Sequence, residues 1–143
     1  MGQIHGPRSP VSNSKLDPVM APNRIAMVRK LAKIAFVIGS VAVIALSLLP
    51  QETLPDTGLW DKWNHTFAYA VLTLSGGIGF KGLRSLLILG VGLMVLGAGL
   101  ELAQSVIPDR DGSIYDVLAN LIGVAIGSVA TAGTNTLIAR PID

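Results

Sequence analysis

Four stretches of the chain run almost without charge: 34–49 (IAFVIGSVAVIALSLL), 66–80 (TFAYAVLTLSGGIGF), 85–107, which opens SLLILGVGLMVLGAGL and continues past Glu101, and 117–139 (VLANLIGVAIGSVATAGTNTLIA). Each is too long for a strand and too apolar for a surface helix with one wet face, so the pattern predicts four helices. The first run is slightly shorter than the ~20 residues that cross a bilayer core. Arg29, Lys30 and Lys33 just ahead of it lengthen the usable span, because their stems lie along apolar surface while the charges reach water. A signal peptide is the rival reading of this run, with a basic start, an apolar middle and small residues at Ala45 and Ser47. The polytopic body that follows favours a membrane helix. Ahead of it, residues 1–26 carry Pro7, Pro10, Pro18 and Pro22 with no apolar period and read as a disordered tail. Met27 opens MVRKLAKIAF, a plausible natural start, which leaves 27–140 as the folded unit.

Composition turns four apolar helices into a membrane protein. Half of the 143 residues are hydrophobic, 14% are charged and the mean hydropathy is +0.58. A soluble domain has roughly 25% charged residues with which to cover itself. The expected fold is therefore all-α, an integral membrane four-helix bundle whose first partner is the lipid bilayer. There are no cysteines, so disulfides and thiolate metal sites are excluded. A net charge of +2 gives no reason to expect nucleic acid. Oligomeric state is not encoded in the pattern.

Charge then orients the spans. Arg8, Lys15, Arg24, Arg29, Lys30 and Lys33 precede the first run, Lys81 and Arg84 separate the second from the third, and Arg140 follows the fourth. With four spans these fall on one side, and the positive-inside rule places both termini in the cytoplasm. Glu52, Asp56, Asp61, Glu101, Asp109, Asp111 and Asp116 fall on the other side, with Lys62 and Arg110. Three or five spans would break this sorting.

The outward connections carry the candidate chemistry. In DKWNHTFAY, Asp61, His65 and Tyr69 are spaced i, i+4, i+8 and share a helical stripe, with Asp61 at the positive end of the helix dipole. Trp60 and Trp63 suit an interfacial aromatic belt. Glu101 and Gln104 share a face near the end of the third helix. Asp116 and Asn120 open the fourth, and Gly123 and Gly127 continue their stripe as a small-xxx-small pair that lets helices approach closely. The polar and close-packing faces of that helix coincide, so Asp116 and Asn120 should point into the bundle. Asp61, His65 and Glu101 suit general acid–base chemistry, and Lys62 and Arg110 suit an anion such as a lipid phosphate. The plainer readings stand beside these: a turn and helix cap at Asp109, Asp111 and Gly112, an interfacial histidine at His65, and a Glu101–Arg110 clasp that only ties helix ends. One well-placed histidine is a weak metal signal, and His5 lies in the tail on the opposite side, so no metal or other cofactor is expected.

DKWNHTFAYAVL resembles the D-K-x-x-H-x-x-x-Y segment of VanZ-like membrane proteins. GLELAQSVIPDRDGSIYDVLANLIGVAIG resembles the E-x-x-Q…R…D-x-x-x-N-x-x-G-x-x-x-G segment of the same family. The match covers about residues 34–130. Its matching positions are Asp61, Lys62, His65, Tyr69, Glu101, Gln104, Arg110, Asp116, Asn120, Gly123 and Gly127. The family more often has glycine before the arginine, where this chain has Asp109. The resemblance implies a multi-pass protein of the bacterial inner membrane with a cell-envelope role and, at the family level only, a link to glycopeptide antibiotic resistance. The expected function is binding or processing of an envelope lipid or cell-wall component in an outward-facing polar pocket. The alternatives are a hydrolase or transferase acting on a phosphate-bearing lipid, and a structural or assembly subunit of a membrane complex. Four short helices with no charge at mid-span leave little room for a transporter.

Overall fold

A computed structural model describes residues 22–49, 59–107 and 112–139, which form four helices: α1 Pro22–Ser47, α2 Leu59–Gly79, α3 Leu83–Gln104 and α4 Ile114–Ala139. Proline suits the first turn of a helix, where its missing N–H is not needed, and α1 begins at Pro22. The helix thus includes 22–26, which the sequence assigns to the tail; the tail ahead of Pro22 lies outside the described residues. Between α2 and α3 the chain reverses through Gly82, whose φ of 99° is a backbone state that a side chain strongly disfavours. Ser113 caps α4: its Oγ accepts the Tyr115 N–H at 3.2 Å, and its carbonyl accepts from the N–H groups of Asp116 and Val117.

The bundle is apolar outside and partly polar inside. Val37, Ile38, Val41, Leu87, Ile88, Val91, Val95, Leu102 and Val129 are all exposed. Thr73, Glu101, Gln104, Asp116, Asn120 and Thr131 are buried with the small apolar core of Tyr69, Leu72, Leu93 and Val124. In water such a surface would drive association; in lipid it is the solvated face. Among the described residues, three helices are long and apolar enough to cross a membrane, at Arg24–Ser47, Leu83–Gln104 and Ile114–Thr136. The chain is a helical, multi-pass membrane protein.

The sequence predicts four spans, and α2 is the one that does not reach a membrane-spanning hydropathy by itself. Lys62, Asn64 and His65 occupy its first turns. It is also the most enclosed helix. It packs along the length of α4 and against both α1 and α3, while α1 makes only slight contact with α3. Close approach to α4 depends on glycine. A Cβ at Gly127 would sit 2.5 Å from the Ala70 carbonyl oxygen, and one at Gly123 would run into the carbonyl oxygen of Thr66.

Contacts at both ends give an up–down–up–down order. At one end Gln104, closing α3, donates to the carbonyl of Ser47, closing α1, at 3.0 Å, and the first turns of α2 meet those of α4. At the other end Lys33 of α1 lies 5.1 Å from the Phe80 ring centroid just beyond α2, and Phe80 meets Phe36 edge-on at 5.9 Å.

Candidate functional site

The polar side chains converge where α2 and α4 begin and α3 ends. His65 Nδ1 lies 3.1 Å from Asn120 Oδ1 and 4.0 Å from Glu101 Oε1. Glu101, Asp116 and Asn120 are buried and His65 is half-buried. One ligand-type atom from each of His65, Glu101 and Asp116 falls within 4.8 Å of the others. Three helices thus bring an imidazole and two carboxylates together at the edge of an apolar bundle.

Each group has a local reason for its position. Glu101 Oε2 accepts the Ser113 N–H at 2.9 Å. Its negative charge therefore sits at the N-terminus of α4, where the helix dipole favours it. Asp116, in the first turn of α4, gains from the same field. Its Oδ1 lies 3.9 Å from Lys62 Nζ, and Lys62 also stands 6.0 Å from the Tyr115 ring centroid. The Lys62 side chain is 45% exposed, so this pair contributes at most about 1 kcal/mol. Thr66, one residue after His65, donates from Oγ1 to the Ala119 carbonyl at 3.2 Å and fixes the register of α2 on α4.

Tyr69 lies one turn deeper than His65, as the stripe predicts, and is almost fully enclosed at 1% exposure. The space it uses is left by Gly97 on α3. A Cβ there would sit 2.9 Å from the Tyr69 hydroxyl and 2.8 Å from Asn120 Nδ2. The hydroxyl is buried with no hydrogen-bond partner among the described residues. An unsatisfied buried hydroxyl costs about 1–3 kcal/mol.

The sequence-predicted residues thus divide. Lys62, His65, Tyr69, Glu101, Asp116 and Asn120 are brought together, with Gly123 and Gly127 forming the seam behind them. Gln104 is buried on the same end of α3, but its amide is taken up by the Ser47 carbonyl. The Asp61 side chain, Arg110, and the Asp109 and Asp111 turn lie outside the described residues. Sequence reasoning missed Ser113, Thr66 and Gly97. Ser113 had a readable signal, a serine immediately ahead of an apolar helical run. Thr66 and Gly97 are of types so common in membrane helices that nothing marks them.

No protein-family model, curated protein or solved structure matches the chain at a significant level.

Proposed function

We propose that the chain is a VanZ-like, four-span protein of the bacterial inner membrane, with both termini cytoplasmic and an outward-facing polar pocket that binds or processes an envelope lipid or cell-wall component. The observation that carries this reading is the convergence of His65, Glu101 and Asp116 from α2, α3 and α4 within 4.8 Å. Burying polar and ionisable groups in a membrane bundle is expensive, and such groups commonly mark a functional site. Their position at helix ends keeps them level with lipid headgroups. Lys62 offers a cation to a headgroup phosphate at the rim. The paired motifs, DKWNHTFAY and ELAQ…DVLAN, supply the members of this cluster in the order of the family they resemble.

Native mass spectrometry of the full chain released from membranes tests this reading. The expected result is a retained lipid or lipid-linked species, depleted in His65→Ala and Lys62→Ala proteins that still accumulate. A delipidated spectrum for the unaltered chain would remove the reading. The rival assembly-subunit role predicts instead that these variants fail to accumulate.

A further inference from the structure

We infer that the end of the bundle opposite the His65 cluster binds an anionic phospholipid of the surrounding membrane, by its phosphate, through Lys33, Lys81 and Arg84. Charge is sorted between the two ends. Among the described residues, Arg24, Arg29, Lys30, Lys33, Lys81 and Arg84 lie at this end, and the buried carboxylates Glu101 and Asp116 lie at the other. Lys33, Lys81 and Arg84 are exposed, and none of them forms an ion pair among the described residues. Clustered cations flanking a membrane span attract anionic headgroups, with a gain of about 5-fold in affinity for each Lys or Arg.

Packing makes three of these cations into one local group. At this end α1 and α3 both lie against the close of α2. A Cβ on Gly76 of α2 would sit 2.7 Å from Leu89 Cδ1 of α3 and 3.1 Å from Phe36 Cδ2 of α1, and one on Gly79 would sit 2.8 Å from Lys33 Cγ. Lys33 precedes Phe36 by a helical turn and Arg84 precedes Leu89 by somewhat more. At ~1.5 Å per residue the two cations stand about 5 and 8 Å nearer the membrane surface than those contacts. Lys81 lies in the turn from α2 to α3. Lys33 Nζ is 5.1 Å from the Phe80 ring centroid, and Phe80 is itself braced edge-on by Phe36. The ring thus gives the ammonium a fixed seat beside the turn.

The neighbouring surface points to a lipid as the source of the phosphate. Leu83 and Leu87 are exposed one helical turn apart on α3, on either side of Arg84 in sequence. They offer acyl chains an apolar surface next to the cations, which a free phosphate would leave uncovered. On α1, Met27, Val28 and Leu31 are exposed among Arg24 and Lys30. Such a mixture of apolar and basic side chains suits the boundary between headgroups and acyl chains. The inference does not depend on the function proposed above, and it holds whichever leaflet this end faces.

The test titrates the full chain in detergent micelles with phosphatidylglycerol or with phosphatidylcholine, bound lipid being counted by native mass spectrometry. Phosphatidylglycerol should bind at least about 10-fold more tightly. Lys33→Gln, Lys81→Gln and Arg84→Gln should each lower its affinity by about 5-fold, and the triple variant should no longer distinguish the two lipids. Lys33→Arg combined with Lys81→Arg keeps the charge and should keep the preference. Arg24→Gln combined with Lys30→Gln should change it little. Micelles have no leaflets, so a variant with altered orientation in the cell cannot produce these results. Equal affinities for the two lipids overturn the inference. So does an equally large loss from Arg24→Gln with Lys30→Gln, which means diffuse attraction without a local site. If the arginine variant loses the preference too, the effect is structural and the inference falls. Displacement of bound phosphatidylglycerol by an equal concentration of glycerol phosphate also overturns it, because the site then takes the anion alone.

Discussion

His65 on α2 and Asn120 on α4 are 55 residues apart in sequence, yet Nδ1 of one lies 3.1 Å from Oδ1 of the other. The amide orientation that turns Oδ1 toward the ring makes Nδ1 the donor, and it leaves Nδ2 facing the Gly97 side. Asn120 thus binds the imidazole at the bundle edge on one side and shares the space over Gly97 with the buried tyrosine on the other.

This link sets a measurable coupling. A double-mutant cycle on His65→Ala and Asn120→Ala should give an interaction energy of about 0.5–1.5 kcal/mol, the usual net value of one intramolecular hydrogen bond. Unfolding in mixed micelles is the measurement. Strictly additive losses would mean that the two side chains do not act on each other.

Glycines along the bundle should separate by location. Gly123→Ala and Gly127→Ala force a methyl group into the α2 backbone and should each destabilise by about 1–3 kcal/mol. Gly99→Ala meets nothing within 4 Å and should be neutral or slightly stabilising. Thermal aggregation of the detergent-solubilised variants reads the difference. Equal effects at all three positions would contradict the packing of α2 on α4.

A structural and a chemical role for Glu101 can be told apart. Glu101→Gln keeps an oxygen for the Ser113 N–H and should cost little stability. Glu101→Ala removes the acceptor and should cost about 1–3 kcal/mol. If the carboxylate also does chemistry or holds a ligand, both variants lose function, and only the alanine variant loses stability. A Gln variant with normal function would confine Glu101 to holding the α3 and α4 ends together.

Orientation can be read directly because the chain has no cysteine. With the termini cytoplasmic, Asp111→Cys should react with a membrane-impermeant maleimide added outside intact cells, and Ser85→Cys should not. The reverse pattern inverts the proposed topology.

Much of this arrangement was legible in sequence because membrane helices advertise themselves by uninterrupted apolar runs. The i, i+4 spacings of His65 with Tyr69 and of Asp116 with Asn120 correctly put each pair on one face. The start of α1 was less legible: Arg24, Arg29, Lys30 and Lys33 break the apolar run without breaking the helix. The partner of Gln104 was also hidden. Its spacing from Glu101 gave the face of α3, but the Ser47 carbonyl that occupies it belongs to another helix, and no local pattern encodes a backbone acceptor. Gly97 shows the same limit, since its role exists only once Tyr69 and Asn120 arrive from two other helices.

The central position of α2 bears on how the protein is made. Its polar first turns and modest apolar length make it a poor candidate for release into lipid alone. Its favourable surroundings are the flanks of α1, α3 and above all α4, which leaves the ribosome after the other three. A nascent chain halted before Ile114 should leave α2 unsettled at the membrane surface or retained by the insertion machinery, and glycosylation mapping of such truncations would show which. The late synthesis of α4 thus completes two things together: a stable berth for α2 and the third wall of the polar cluster.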